Sequence, residues 1–384
     1  KEKQELINKY ASKVKKNDPI LIIYTTGTTG FPKPAMLTNE GIVCQNFCMA
    51  KGFEITLKDR MLVNLPPSHV GCQTEQLMTT IYAGGISVIL HAFKADKTLK
   101  AIEQYNVTAF GQIPSLFVME WRLPDYQKYD LSSLRFALYG GQGVSKKFLK
   151  KLSTMAPYIG SGLGLTEMSG FVSYTPFGGT PDDILVSLGH DFPVTPLSIR
   201  EPMKEDGSAG KEFPDGEIGE ICYSGPQVFK GYYGNEKATR KTISTEGICY
   251  TGDLGYKDDK GLHLAGRAKF VIKPKGYQVY PPEVEAHIEK IPEVSLAAVV
   301  GAEHEIYSEG VVAFIEVKGN NNSISKEDID QHCKKLAGYK RPSLIIFLDQ
   351  IPLNRVDKTD YKVLNEQVGK YIEQARAQGK WDAQ

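Results

Sequence analysis

The chain has 384 residues, 41% hydrophobic and 24% charged, with a net charge of +1. That is ordinary globular composition, long enough for two domains or more. The near-zero charge argues against a nucleic-acid partner, and no apolar run approaches the length of a membrane span. The first residue is Lys1, with no signal-peptide pattern after it. Six cysteines (Cys44, Cys48, Cys72, Cys222, Cys249 and Cys333) form no Cys-x-x-Cys pair, and the seven histidines are scattered. Buried thiols in a reduced, cytoplasmic setting are expected, without a metal cluster or disulfides.

Lys1 to Asp18 is polar and lysine-rich, a helix or a frayed lead-in. Leu21 to Tyr24 is an apolar run that reads as a buried strand. It opens into Thr25, Thr26, Gly27, Thr28, Thr29, Gly30, Phe31, Pro32 and Lys33. Glycines let backbone N–H groups close on an anion, threonine hydroxyls add donors, and Lys33 adds positive charge. The stretch reads as a phosphate-gripping loop or, more plainly, as a polar turn. Its rhythm is not the Gly-x-x-x-x-Gly-Lys-Ser/Thr of a Walker loop.

Thr38 or Asn39 caps a helix through Ile42, Val43 and Phe47. Met61 to Leu65 is a short apolar run ending at Pro66, Pro67, Ser68 and His69, and His69 reads equally as a loop histidine or a site residue. Gly84 to Leu90 is a strand, Leu99 to Tyr105 is helix-like, and Thr108 to Phe110 leads into Gln112, Ile113 and Pro114. This alternation argues for α/β layers. Leu134 to Tyr139 is a strand followed by Gly140, Gly141 and Gln142, at the end where open α/β sheets bind ligands. Gly162, Leu163, Gly164, Leu165, Thr166 and Glu167 form a second glycine turn, ending in a hydroxyl and a carboxylate. Asp206-Gly207 and Asp215-Gly216 mark hairpins, and the glycines from Gly219 to Gly231 read as structural turns. Tyr250 to Asp253 is another turn, and a basic run extends from Gly266 to Val279. Beyond it, Leu296–Val300, Val311–Val317 and Leu344–Leu348 read as strands. Lys318 to Ser323 is a loop. Ser325 and Asp328 form a capping box for a helix with Ile329, Cys333 and Leu336 on one face, ended by Gly338.

Taken together, the Thr25–Lys33 loop, the Thr166-Glu167 pair, Thr251-Gly252-Asp253, the Gly266–Val279 run and Lys358 resemble the adenylate-forming superfamily. That group holds acyl-CoA synthetases, coumarate–CoA ligases, firefly luciferase and peptide-synthetase adenylation domains. The resemblance runs from Pro19 to Leu364 and is nearest to the acyl-CoA synthetases. It implies a large α/β domain with a β-rich subdomain, residues 1–267, and a small mobile α+β domain, residues 268–384. Only 26 residues precede Gly27, so the resemblance also implies a longer natural protein whose N-terminal region is absent here.

The resemblance assigns the ATP phosphates to Thr25, Thr26, Gly27, Thr28, Thr29, Gly30 and Lys33. It places adenine beside Gly141, Gln142, Gly162, Leu163 and Gly164, and ribose beside Asp253 and Arg267. Thr166 contacts phosphate, Glu167 holds Mg²⁺, and Lys358 is the essential lysine of adenylate formation. His69, Gly140 and Gln142 border the acyl group. Lys269 is the hinge, and Lys273, Lys275 and Gly276 lie toward coenzyme A, although any one of these lysines also reads as part of a solvated basic face. Four positions depart from the usual pattern: Pro34 and Asp357 replace glycines, Gln142 an alanine, and Leu163 a stacking tyrosine. The implied activity is ATP- and Mg²⁺-dependent activation of a small-molecule carboxylic acid, followed by thioester formation with coenzyme A. The rivals are transfer to a carrier-protein thiol, a luciferase-type oxygenase, and a catalytically silent nucleotide-binding protein.

Overall fold

The computed structural model describes residues 2–25, 32–141, 143–267, 270–274, 277–306, 308–319, 324–353 and 359–381. The chain divides into two compact units, residues 1–251 with 255–264, and residues 252–254 with 265–384.

In the first unit the alternating pattern yields a five-stranded sheet. Its strands lie in the order Ile86–Ile89, Arg60–Val63, Ala109–Gln112, Phe136–Tyr139 and Tyr158–Gly160, and every neighbouring pair is parallel. Parallel neighbours need crossovers, which helices such as Ala95–Tyr105 and Pro114–Trp121 supply. Both sheet faces are covered. Ala137 and Tyr139 join Leu99, Ile102, Phe110 and Phe117 on one side. Phe136 and Leu138 join Phe53, Met61 and Phe171 on the other. This is the period-2 alternation of a strand buried on both faces.

Three neighbouring strands are pinned together at their amino ends. Asp59, Thr108 and Arg135 each stand one residue before a strand. Arg135 Nε and Nη2 donate to Asp59 Oδ1 and Oδ2 at 3.1 and 2.9 Å. Thr108 Oγ1 donates to Asp59 at 2.8 Å, as does the Thr56 N–H. Burial alone would push the Asp59 carboxyl up, but Arg135, the Thr56 N–H and Thr108 together outweigh it and hold it below the usual carboxylate range. Asp59→Ala strands the guanidinium and should cost roughly 3–5 kcal/mol in urea unfolding. Because the folded-state value is depressed, this contribution is present above about pH 4 and is lost as pH falls through the folded value. Parent and mutant stabilities should therefore converge in acid; a constant gap would contradict the ion-pair account.

A three-stranded antiparallel sheet places Lys33–Thr38 between Pro19–Thr25 and Gly231–Tyr232. The strand expected at Leu21–Tyr24 is present, but it is not buried. Ile23 faces the core at 3% exposure, whereas Ile22 and Tyr24 are exposed at 43% and 65%. An antiparallel sheet covered on one side alternates, so an apolar run there need not be a doubly covered strand. The helix Asn39–Gly52 follows, with the Thr38 hydroxyl accepting from the Gly41 N–H at 3.0 Å. Cys44 and Cys48 are buried and free. A four-stranded sheet, in the order Leu197–Arg200, Gly219–Tyr223, Cys249–Asp258 and Gly261–Arg267, forms the expected β-rich portion.

The second unit pairs Val294–His304 antiparallel with Ser308–Val317, which runs parallel to Leu344–Phe347. Helices Pro281–Ile288 and Lys326–Cys333 cover Ala297, Val299, Ala313 and Ile315. Helix Tyr361–Ala377 covers Ala298, Val300, Val312 and Phe314. The Ser325–Asp328 capping box is formed. Its helix ends at Cys333 rather than at Gly338, which instead begins a separate single turn. Buried Glu285 accepts from the Val299 N–H at 2.8 Å and the Tyr361 hydroxyl at 2.7 Å. Burial pushes its carboxyl up to about 7.

Candidate nucleotide and acyl site

The strands Pro19–Thr25 and Lys33–Thr38 are registered with Thr25 opposite Lys33. The two ends of the sequence-predicted phosphate loop are thus held side by side. Thr26, Gly27, Thr28, Thr29 and Gly30 between them lie outside the described residues. The Lys33 ammonium sits 5.1 Å from the centre of the Tyr232 ring. Tyr232 pairs with Ala35 of the same sheet, and its hydroxyl donates to Glu167 Oε1 at 2.6 Å. Burial and the neighbouring Glu167 charge push the Tyr232 phenol well above its usual range, so the proton stays on the donor. The Glu167 carbonyl also accepts from the Phe229 N–H at 2.9 Å. Lys33, Glu167 and Tyr232, far apart in sequence, therefore meet at one place.

Thr166 and Glu167 occupy a single helical turn inside a hairpin made by Gly164–Leu165 and Gly170–Phe171. The turn is tight, with Ser169 at φ +61° and Gly170 at φ +131°. At Gly162 a Cβ would stand 1.9 Å from the Ser173 carbonyl oxygen, so only glycine fits. Leu163 is partly buried against the cluster of Met168, Val172 and Leu197. Leucine thus serves packing where the resemblance expects a stacking ring. Pro34 sits within its strand opposite Tyr24, and its carbonyl accepts from the Tyr233 N–H at 2.8 Å. A proline is accommodated there because that contact uses only its carbonyl.

Gly140 and Gly141 follow the strand Phe136–Tyr139, and Gly141 adopts φ +86°. A Cβ on Gly140 would contact Phe171 at 3.4 Å. Gln142 lies outside the described residues. His69 is exposed, and its Nδ1 accepts from the Gly71 N–H at 3.1 Å. That bond leads directly into the helix Gly71–Met78, whose wide i→i+5 spacing is a feature frequent at functional sites.

In the second unit, Arg267 Nε donates to Asp253 Oδ1 at 2.9 Å, so the two side chains expected at ribose lie together. Asp253 is buried while Arg267 is half exposed. Ile272 and Val279 bridge antiparallel, enclosing Lys273, whose backbone N–H donates to Glu309. Lys269, Lys275 and Gly276 lie outside the described residues. So does Lys358 with its neighbour Asp357, between Leu353 and Thr359, which bridge each other.

Sequence reasoning missed several residues. Tyr232, next to the glycines read as structural turns, was not singled out. Gln76 was not singled out, yet its Nε2 donates to Asn64 Oδ1 at 3.0 Å and to the Gly111 carbonyl at 2.8 Å. Asn64 Nδ2 passes on to Gln112 Oε1 at 2.9 Å, and Gln112 Nε2 to Glu120 Oε1 at 3.0 Å. Burial pushes Glu120 up to about 8. This polar chain lines the carboxyl ends of two strands. Glu75, on the helix after His69, is the other omission. The one available signal was a carboxylate between Val70 and Leu77, in a run with neither helical nor strand periodicity.

The AMP-binding enzyme family model matches residues 1–233, and the model of the AMP-binding enzyme C-terminal domain matches residues 283–358. The chain belongs to the AMP-binding enzyme family. A 4-coumarate–CoA ligase from Humulus lupulus is 32% identical over 368 residues, covering 92% of this chain and 65% of that protein. The chain thus spans somewhat less than two thirds of this curated relative. ATP-bound MatB from Rhodopseudomonas palustris superposes with a TM-score of 0.79 at 27% identity, over 92% of this chain and 68% of that one. The o-succinylbenzoate CoA synthetase MenE from Bacillus subtilis, in complex with the acyl-adenylate intermediate OSB-AMP, gives 0.76 at 26% identity, over 92% and 70%. Other members of the AMP-binding family are therefore similar to this chain across both of its units.

Tyr232→Phe removes one hydrogen bond to a carboxylate. It should lower stability by about 1.5–3 kcal/mol in urea unfolding, with the circular dichroism spectrum unchanged. A loss within error would show that the hydroxyl contributes nothing to holding Glu167.

Proposed function

We propose that this AMP-binding family member activates a carboxylic acid with ATP and passes the acyl group to coenzyme A. The observation that carries the proposal is the meeting of Lys33, Tyr232 and Glu167 beside the two ends of the phosphate loop. The similarity to coumarate–CoA ligases and to a CoA synthetase holding an acyl-adenylate supports it.

In the first half-reaction the acid's carboxylate attacks the α-phosphorus of ATP. Acyl-adenylate forms and pyrophosphate leaves. Negative charge builds on phosphate oxygens, so the protein's part is positioning and electrostatic stabilisation. Lys33, the Thr166 hydroxyl, the loop amides and Lys358 supply donors and positive charge, while Asp253 and Arg267 hold the ribose. Gly141, Gln142 and Gly162–Gly164 border adenine, and His69 and Gly140 border the acyl chain.

Mg²⁺ fits the donor set. It prefers one or two carboxylates with phosphate oxygens rather than an all-protein cage. Glu167 offers one such carboxylate, and no group of three or more His, Cys, Asp or Glu able to hold a metal occurs among the described residues. Bound at Glu167, the ion would neutralise charge on the phosphates. Tyr232 fixes one oxygen of that carboxylate, leaving the other for the ion.

In the second half-reaction residues 268–384 act as a mobile domain that turns about Lys269. The turn withdraws Lys358 and brings Lys273, Lys275 and Gly276 toward coenzyme A, whose thiolate attacks the acyl carbonyl and releases AMP. A cytoplasmic setting supplies ATP and coenzyme A and keeps the six cysteines reduced. Among the described residues no helix is long and apolar enough to cross a membrane.

A screen of short, long and aromatic acids should give acid-dependent pyrophosphate release, and thioester only when coenzyme A is present. Release of ADP, or of pyrophosphate without dependence on any acid, would overturn the reading. Thioester on a carrier-protein thiol but never on coenzyme A would assign the acceptor differently. Two variants separate the half-reactions. Lys358→Ala should lose roughly 2–4 kcal/mol of transition-state stabilisation in adenylate formation, about two to three powers of ten in rate. It should still transfer acyl groups from chemically made acyl-adenylate. Lys269→Pro should form adenylate and stall before thioester, because proline restricts the hinge dihedrals. Equal slowing of both half-reactions by Lys358→Ala would contradict the alternating-domain mechanism.

A further inference from the structure

Glu75 stands beside His69, one of the residues expected at the acyl group. A Cβ on Gly71 would lie 3.3 Å from His69 Nδ1 and 3.6 Å from Glu75 Oε2, so His69 and Glu75 flank one glycine. A Cβ on Gly170 would lie 3.0 Å from Glu75 Oε1, and one on Gly164 3.4 Å from the same oxygen. The carboxylate therefore rests on the bare backbone of the hairpin that carries Thr166 and Glu167. Gly170 leads into Phe171, whose ring lies against Gly140. Glycines at 71, 164 and 170 make the room that this carboxylate occupies.

The position is built. Thr74 Oγ1 donates to the Ser169 carbonyl at 2.6 Å, and Asn46 Nδ2 donates to the Thr74 carbonyl at 2.7 Å. The first bond ties the residue before Glu75 to the hairpin, and the second ties the same residue to the helix Asn39–Gly52. The Gln45 amide nitrogen comes within 3.1 Å of the same Gly170 Cβ position, but it is turned toward Met49 Sδ at 3.4 Å. No donor of the described residues reaches the Glu75 carboxylate, and desolvation alone pushes it up to about 7. A half-buried carboxylate with no protein donor loses part of its hydration without compensation, and a ligand that supplies a donor offsets that loss.

We propose that Glu75 is a specificity-determining residue of the acyl pocket, selecting acids whose end remote from the reacting carboxyl carries a hydrogen-bond donor, a protonated amine above all. The inference rests on the reading of this chain as an acid-activating enzyme. An acid ending in methyl leaves the carboxylate unpaired. An acid ending in a second carboxylate meets like charge. An ammonium forms a charge-assisted bond, and the acid's own carboxylate is then directed away from Glu75, toward the phosphates. Sites built to bond a polar substrate group reject analogues that lack it far more strongly than apolar pockets discriminate by size.

The test compares 6-aminohexanoate, 6-hydroxyhexanoate, hexanoate and adipate, and the aromatic set 4-(aminomethyl)benzoate, benzoate and terephthalate. The full chain and its Glu75→Gln and Glu75→Leu variants are used at pH 8, where the carboxyl is ionised. Pyrophosphate release and calorimetric binding are measured separately. The parent should favour the amine over the methyl-ended or unsubstituted acid by at least tenfold in kcat/KM and in affinity. Glu75→Leu should reverse that order, and Glu75→Gln should keep the hydroxy acid while losing the amine preference. The affinity for ATP should not change. An unchanged ranking in Glu75→Leu, an equal loss for every acid, or a parent that binds no donor-bearing acid overturns the inference. If the parent binds amine acids in a Glu75-dependent manner but releases no pyrophosphate, the activity reading fails while the specificity assignment stands.

Discussion

The hydrogen bond from the Tyr232 hydroxyl to Glu167 is the contact on which the candidate site depends. Glu167 is held twice from the same short segment, its carbonyl by the Phe229 N–H and its carboxylate by Tyr232. Tyr232 belongs to the sheet that contains Lys33 and the two ends of the proposed phosphate loop. One phenol thus couples the glycine-tight hairpin of Thr166 and Glu167 to the strands that flank the proposed phosphate loop. A carboxylate fixed in this way does not have to be ordered when a nucleotide binds, and such preorganisation makes electrostatic stabilisation effective.

The parallel sheet behind the site uses polar groups differently at its two edges. At the amino ends, Asp59 takes donors from Arg135, Thr108 and Thr56, and the charged form is the stable one. At the carboxyl ends, Asn64, Gln76, Gln112 and Glu120 pass amide hydrogen bonds from one to the next. Glu120 ends that chain without a cation among the described residues, and burial favours its neutral acid. The charged clamp at the amino ends fixes strand alignment. A largely neutral network at the carboxyl ends ties the helix Gly71–Met78 to two strands through Gln76 without placing a fixed charge in the sheet.

Much of this architecture was legible in the sequence because it follows from local periodicity. Strands near residues 84–90 and 134–139, the apolar run at 61–65 and the helix-like stretch at 99–105 imply α/β layers, and Thr38 and Ser325 cap the helices they precede. The Thr166-Glu167 pair and the flanks of the phosphate loop stood out through glycine spacing and chemistry. What was hidden depends on strand order rather than on neighbours in the chain. Ile22 and Tyr24 look like core residues until the sheet proves to be covered on one side. Tyr232 looks like a turn residue until its strand pairs with Ala35, 197 positions away. Glu75 looks like a surface carboxylate until Gly164 and Gly170, about ninety residues on, close over it.

The claim that Glu167 is a prefixed metal carboxylate is most directly tested by electron spin resonance titration of free Mn²⁺, used as a Mg²⁺ substitute, with ATP and either the parent or Glu167→Gln. The account predicts a ternary complex with the parent and a loss of Mn²⁺ affinity of about tenfold or more in the variant, with ATP binding measured without metal left nearly unchanged. Equal Mn²⁺ affinity in the two proteins would contradict it.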